Sequence, residues 1–327
     1  MQAFVGTSLG SIDGFKLGHL PVPDPGAGQV RIRVQATALG FVDGLIVQGR
    51  YQLKPVLPYI PGGEIAGVVD AIGPGVESVK PGQRVVTWQL GGGLAEYTIV
   101  DFSEVDVLHD SISAVVAASM LVDYQTAHHA LFEVAAVRAG ESVLVLGAAG
   151  GVGSAAVQMA ALAGAHVIAA ASTPDKRSAA LLLGAHDTVD NAHPDWRAEL
   201  KAKAPAGAVD VVFDPIGGAM LEPAFRSLGK EGRYLVVGFA SGSIPSLPVN
   251  LAFLKNASLR GVEIRHLLSR DPANARRVRR SLFSMVHAGH LKAPAVIPFT
   301  LDHCRDALLA TTSRDRVGKV VVDQRGT

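Results

Sequence analysis

The chain has 327 residues, a length that suits two domains. Hydrophobic residues make up 48% and charged residues 18%, so a sizeable core can form and extensive disorder is excluded. A net charge of +1 gives no global electrostatic reason for a nucleic-acid or membrane-surface partner, and the single cysteine, Cys304, rules out internal disulfides and cysteine-cluster zinc sites.

Met1 leads into a strand-like segment without a basic and apolar leader, and no apolar run reaches membrane-spanning length. A soluble, cytoplasmic protein is expected. Residues 1 to about 117 read as β-rich. Val30 to Ala36 alternates strictly, as a half-buried strand does, and Glu64 to Gly73 is a second strand closed by Gly73-Pro74-Gly75. Lys80-Pro81-Gly82-Gln83 carries turn chemistry before a strand from Arg84 to Thr87, and Ala95 to Val100 is another. A short helical pattern, Val42 to Gln48, and a proline-rich loop, Tyr51 to Pro61, lie between the first two strands. Many short strands with turn punctuation predict a partly closed barrel.

From about 118 to 266 strands and helices alternate. Strands are expected at 143–146, 166–171, 187–189, 209–213, 232–237 and 257–262, with helices near 151–163, 174–183, 195–203 and 219–228. Six parallel strands with crossover helices make a doubly wound α/β sheet. Residues 267 to 327 add a basic helix around Pro272–Ala288, a helix near Asp302–Ala310 and a last strand, Lys319 to Val322, able to return to the barrel.

The stretch from Val143 to Gly153 organises the α/β half. An apolar strand ends in a glycine-dense turn, and a small-residue helix follows up to Leu162. Such a turn lets a pyrophosphate approach bare backbone at a helix N-terminus. The spacing is Ala148-x-Gly150-x-x-Gly153, with alanine in the first place of the usual G-x-G-x-x-G. Alone it is a weak signal, but a second strand at βαβ spacing supports cofactor binding. That second strand closes with Ala171-Ser172-Thr173-Pro174-Asp175-Lys176-Arg177, without the acidic side chain an NAD ribose needs at the strand end. Ser172 and Lys176 can hold a 2′-phosphate, so NADPH is the expected cofactor; Arg177 reads as a solvated helix residue.

Several further motifs stand in one order along nearly the whole chain. They are Gln48-Gly49-Arg50-Tyr51, Pro61-Gly62-Gly63-Glu64-Ile65-Ala66-Gly67, Lys80-Pro81-Gly82-Gln83-Arg84-Val85, Phe213-Asp214-Pro215-Ile216-Gly217-Gly218, Val237-Gly238-Phe239-Ala240-Ser241-Gly242 and Gly318-Lys319-Val320-Val321. With the glycine turn, the sequence resembles the medium-chain dehydrogenase/reductase superfamily, and within it the zinc-independent quinone oxidoreductases related to zeta-crystallin. The resemblance implies a GroES-like β-rich catalytic domain from 1–117 and 267–327, a Rossmann domain from 118–266, NADPH in the cleft between them and a homodimer. It implies cofactor contacts from Gly40 and Thr126, and from Gly147, Gly150, Gly151, Val152 and Gly153 of the turn. Asn191, Pro215, Phe239 and Ser241 complete that set beside Ser172 and Lys176.

Zinc-dependent members of this superfamily carry a histidine in a Gly-His-Glu signature, where this chain has Gly62-Gly63-Glu64, and a cysteine near the position of Gly40. A catalytic zinc needs three protein ligands. The eleven histidines show no such cluster, and the adjacent His128 and His129 would point apart from a helix. A metal-free enzyme is expected. Tyr51 is the candidate to line the substrate pocket and donate a proton, or to pack as a ring beneath the loop. Asp43 matches a family aspartate near the cofactor, with helix capping as its plainer role. Gly40 and Leu45 replace an asparagine and a second tyrosine common in quinone reductases, and Asn191 stands where a tyrosine is frequent, which leaves the substrate open. The reading is NADPH-dependent reduction of a quinone or activated carbonyl. An enoyl or enone reductase and a non-catalytic NADPH-binding protein are the alternatives. Arg265, Arg270, Arg276, Arg277, Arg279 and Arg280 read mostly as a solvated helix face rather than a nucleic-acid site.

Overall fold

A computed structural model describes residues 1–313 and 315–325. The chain divides into two compact units, Met1–Val122 with Arg279–Thr327, and Asp123–Val278. In the first unit β1 (Gln2–Gly6) and β2 (Phe15–His19) form an antiparallel pair. β3 (Gln29–Leu39) is the longest strand of its sheet. Val30, Ile32 and Val34 point inward in alternation, and Ala36 to Leu39 are buried on both faces. A one-sided strand shows as alternation, and a two-sided one as a continuous apolar run. The helix α1 (Phe41–Val47) follows β3 at once. β4 (Glu64–Ile72) pairs antiparallel with β3, and the register shifts at Arg31/Ile32 and Val34/Ala36 bend the pair. β5 (Arg84–Trp88), β6 (Tyr97–Asp101) and β7 (Val105–Val107) complete this part, with β6 on the other side of β3.

α2 (Ala114–His128) was not visible as periodicity, because it is apolar on nearly all faces. A π-helical turn, His129–Val134, extends it. This wider pitch brings both His128 and His129 toward Glu133, with Nδ1 to carboxylate distances of 3.9 and 2.9 Å, rather than pointing them apart.

The second unit contains β8 (Ser142–Leu146), α3 (Gly151–Leu162), β9 (His166–Ala170), α4 (Pro174–Leu182), β10 (Asp187–Val189) and α5 (Trp196–Lys203). β11 (Val209–Asp214), α6 (Leu221–Phe225), β12 (Leu228–Val236), α7 (Asn250–Lys255), β13 (Ser258–Gly261) and α8 (Ile264–Arg270) follow. All six strands are parallel, in the order β10-β9-β8-β11-β12-β13. The direction of winding reverses between β8 and β11, the place where doubly wound sheets bind ligands. Leu144, Ile168, Val212, Trp196, Leu200 and Phe225 pack α5 and α6 against this sheet. The helix expected over 219–228 is a 3₁₀ turn at Gly218–Met220 and a shorter α6. β12 already starts at Leu228, and Glu231 at φ 61° forms the irregularity that hid it.

The basic helix α9 (Pro272–His287) leads back to the first unit. Arg279, expected in solvent, is buried against Asp106 of β7, with Nε and Nη2 each 2.5 Å from Oδ2, while Arg280 Nε reaches Oδ1 at 2.9 Å. β14 (Val296–Phe299), α10 (Cys304–Ala310) and β15 (Lys319–Asp323) end the fold. β15 lies antiparallel to the second half of β3 and parallel to β14, so the last strand does join the barrel sheet.

Candidate functional site

The glycines of the turn after β8 serve different purposes. Gly147 takes φ 60°, a left-handed conformation that glycine adopts without strain. A Cβ at Gly153 would lie 2.1 Å from Gly147 O, so the tight packing of α3 on the turn requires glycine there. At Gly151 a Cβ would run into the Asp123 carboxylate of α2 at 2.0 Å. At Gly150 it would meet only Gly147 O, at 3.4 Å. That position is open, and the bare backbone leads to the first N–H groups of α3, at Gly151, Val152 and Gly153, which have no intrahelical partner. A phosphate fits such a cradle. Thr126 is buried one turn beyond Asp123 on α2.

At the end of β9, Thr173 caps α4 by accepting a bond from Lys176 N at 3.4 Å, and Pro174 sits in the first helical turn. Ser172 is exposed and Lys176 half-buried. Arg177 is not simply solvated: it donates to Ala171 O at 3.0 Å and pairs with Asp190 at 3.0 Å, tying β9 to the end of β10. Asp190, a carboxylate beside this strand end, is therefore engaged. Asn191 Oδ1 is buried without a hydrogen-bond partner, the state expected of an acceptor whose donor is a ligand.

Past β11, Asp214 is buried and organises the loop. Its Oδ1 accepts from Ile216 N at 2.7 Å and Gly217 N at 2.9 Å, and its Oδ2 accepts from Tyr234 at 2.6 Å. Burial pushes the carboxyl above its usual range, and these three bonds oppose that shift. Pro215 O accepts from Ala240 N at 3.0 Å. Glycines at 217 and 218 leave room for Phe239 and Ser241, since Cβ atoms there would lie 2.8 Å from the ring and 2.6 Å from Ser241 Oγ. Gly147 faces Pro215 and Ile216 from the β8 side. Gly147, Pro215, Phe239 and Ser241 thus form one row along the strand ends. A groove of about 580 Å³, lined by Trp196, Gly218, Glu222 and Ser243 among others, opens beside it.

In the first unit, Gly40 is the N-cap of α1, and Asp43 Oδ2 accepts its N–H at 2.7 Å. Asp43 is buried, which raises its carboxyl pKa, while the Gly40 N–H and then the charge of Lys319 act in the other direction. Lys319 Nζ donates to Glu64 Oε1 at 2.6 Å, and Glu64 Oε2 accepts from Val122 N at 2.8 Å. A Cβ built on Gly40 would meet Lys319 Nζ, Asp43 Oδ2 and Glu64 Oε1 at 3.7, 3.8 and 3.9 Å. Tyr51 is half-buried against a cluster that includes Leu39, Ile46 and Val47. Tyr59 is buried in that cluster with its hydroxyl unpartnered; burial, with the Asp43 charge, pushes its pKa up.

Residues 26–110 match the alcohol dehydrogenase GroES-like domain, and residues 151–277 the zinc-binding dehydrogenase family. A quinone oxidoreductase-like protein 2 from Bos taurus is 36% identical over 296 residues, 90% of this chain and 84% of that protein. The chain belongs to the quinone oxidoreductase-like medium-chain dehydrogenase/reductases. A solved NAD-dependent alcohol dehydrogenase is 31% identical, with a TM-score of 0.91 over 99% of each chain. A mycobacterial relative complexed with NADPH, Rv1454c, is 28% identical, with a TM-score of 0.89 over 98% of this chain and 99% of its own.

Two glycines, Gly40 and Gly63, stand where the resemblance places zinc ligands in zinc-dependent members. Gly40 has room for a side chain, but a Cβ at Gly63 would lie 2.2 Å from Gln89 O. Among the described residues, no group of three or more His, Cys, Asp or Glu is placed to hold a metal, and no helix is long and apolar enough to cross a membrane. Sequence reasoning missed Glu64, Lys319 and Tyr59. Glu64 and Lys319 left a signal, since each is a charged residue directly heading an apolar run, Ile65 to Val69 and Val320 to Val322.

Proposed function

We infer that the chain is an NADPH-dependent, metal-free reductase of quinones or other activated carbonyl compounds. The observation that carries this reading is the open backbone at Gly150, at the N-terminus of α3 and beside the reversal of the sheet. The α3 N–H groups would hold the pyrophosphate, Asn191 Oδ1 would accept a bond, and Phe239 would lie against the cofactor. Ser172 and Lys176, with Asp190 engaged by Arg177, support NADPH over NADH. When bound, this cofactor supplies a hydride. Tyr51 and the apolar side chains around it would bury a planar acceptor in the first unit. The obstructed Cβ position at Gly63 supports chemistry without zinc.

The reading is completed by a homodimer in the cytoplasm. Buried Cys304 is compatible with a reducing compartment. Ile244, Val249, Phe253 and Leu254 are exposed in and before α7, an apolar surface that a second copy would cover. A panel of quinones, enones and enoyl thioesters, assayed with NADPH and NADH before and after strong chelation, tests the proposal. Turnover with NADPH that survives chelation is expected. Tight NADPH binding with no turnover of any acceptor would leave only the binding-protein alternative, and activity lost together with stoichiometric zinc would overturn the metal-free reading.

A further inference from the structure

The turn after β11 is held by more than the sheet requires. Asp214 ends β11 opposite Val236 of β12, and its carbonyl accepts from Val237 N at 2.8 Å, so the backbone ladder already fixes the strand end. Its side chain, 1% exposed, holds the turn instead. Oδ1 binds Ile216 N and Gly217 N, and Oδ2 binds the hydroxyl of Tyr234. An ionised carboxylate is acceptor-only and suits a place where three donors converge. Tyr234 is fully buried, and its ring stacks on Phe225 of α6 with centroids 5.7 Å apart, which keeps that end of the clamp in place. The segment needs such a hold. Gly217 and Gly218 both take left-handed backbone, φ 65° and 58°, and glycine has no side chain to favour one conformation over another. Once fixed, the turn abuts its two neighbours. A Cβ on Gly147 would lie 3.2 Å from Ile216 Cδ1 and 3.5 Å from Pro215 Cγ. On the other side, Pro215 O and Ile216 O accept from Ala240 N and Ser241 N, each at 3.0 Å. The turn is thus wedged between the glycine turn after β8 and the segment after β12 that carries Phe239 and Ser241.

We propose that Asp214, braced by Tyr234, is a positioning residue for the dinucleotide, setting the place of Pro215 and, through it, of Phe239 and Ser241 along the strand ends. This rests on the reading above that a nicotinamide cofactor binds there. Asp214 itself touches no part of the cofactor; its effect passes through the backbone of residues 215–217. A site whose support is loose must be ordered at the moment of binding, and that cost is subtracted from affinity even when every contact residue is unchanged. The residues so positioned follow β11 and β12, whereas Ser172 and Lys176 follow β9, on the other side of β8. Asp214 should therefore act on NADPH and NADH alike, unlike a residue that reads the 2′-phosphate.

The experiment is a fluorescence titration of the full chain with NADPH and with NADH, at a temperature well below the melting point of each variant. Asp214→Ala, which leaves Ile216 N and Gly217 N without their acceptor, should weaken both cofactors by the same factor, about 10- to 100-fold. Asp214→Asn keeps an acceptor for those two groups and should stay within about threefold of the wild type. If Asp214→Ala does not fold, Tyr234→Phe, which releases Oδ2 and leaves the Oδ1 bonds in place, should weaken both cofactors alike by about three- to tenfold. A folded Asp214→Ala, or in its place Tyr234→Phe, that binds both cofactors as tightly as the wild type overturns the proposal, whatever its melting temperature, and leaves the clamp a purely structural one. A loss confined to NADPH, or an Asp214→Asn as weak as Asp214→Ala, overturns it too, since the 2′-phosphate or the charge would then be what matters. A wild-type chain that binds neither cofactor overturns the reductase reading, and the proposal falls with it.

Discussion

Lys176 and Tyr51 are the residues at which the proposed activity is most open to test. Lys176 sits in the first turn of α4, four residues on from the exposed Ser172 and beside Arg177, which pairs with Asp190. A charge-assisted bond to a phosphate contributes about 1.5–3 kcal/mol, roughly ten- to a hundredfold in affinity. Lys176→Ala should raise KM for NADPH by that factor and leave KM for NADH unchanged, as steady-state kinetics with each cofactor would show. Equal effects would assign Lys176 to holding α4. Tyr51 packs its ring against the barrel core, which leaves the role of its hydroxyl to kinetics. With quinones, Tyr51→Phe should change kcat little, because water can protonate a hydroquinone oxygen. With enoyl acceptors it should lower kcat by about 10²–10⁴-fold, because a carbon needs a placed acid. A silent Tyr51→Phe with both acceptors, paired with weaker binding in Tyr51→Ala, would reduce Tyr51 to a stacking ring.

At the scale of elements, α9 shows how a basic helix is anchored. Its hydrophobic stripe packs inward, and Arg279 goes inward with it because Asp106 of β7 is buried opposite. Removing one member of a buried pair leaves the other charge uncompensated, at a cost of about 3–5 kcal/mol. Asp106→Ala should therefore shift the unfolding of the first unit by about that amount in urea denaturation, whereas Arg280→Ala, whose side chain is 63% exposed, should cost under about 1 kcal/mol. Equal effects would show that the exposed arginine carries the contact. α1 is a smaller case of the same dependence. Asp43 serves as its cap by accepting from Gly40 N, and that capping role, written in the local spacing, is what the geometry displays.

For the whole molecule, the apolar residues of 244–259 set the expectation for assembly. Phe253 is 85% exposed and Val249 82%, in and just before α7, and β13 is the last strand of its sheet among the described residues. Single exposed apolar residues are ordinary, and several in one short segment are what the proposed dimer would cover. Light scattering across a concentration series should give a dimer for the wild type and a monomer for Phe253→Asp, with the melting temperature of the second unit nearly unchanged at low concentration. A wild-type monomer at all concentrations would refute the assembly and leave the reductase reading untouched.

The sequence by itself determined what depends on near neighbours. The β8 turn, the strand and helix alternation of the second unit and the capping of α1 and α4 are local. Their signals are side-chain periodicity, glycine spacing and polar residues at helix starts. Short-range chemistry left α2 hidden, because a helix buried on all sides has no apolar stripe, and it misplaced the start of β12, because Glu231 interrupts the strand. What only the tertiary structure decided are meetings across long separations. Lys319 reaches Glu64 across 255 residues and Arg279 reaches Asp106 across 173. Whether a charge lies in water or in the interior depends on which strands become neighbours, and burial then decides whether its partner is required. The obstruction at Gly63 and the room for a side chain at Gly40 have the same origin. Both are glycines in the sequence, and only the surrounding backbone and side chains make one a position that cannot hold a side chain and the other a position with room for one.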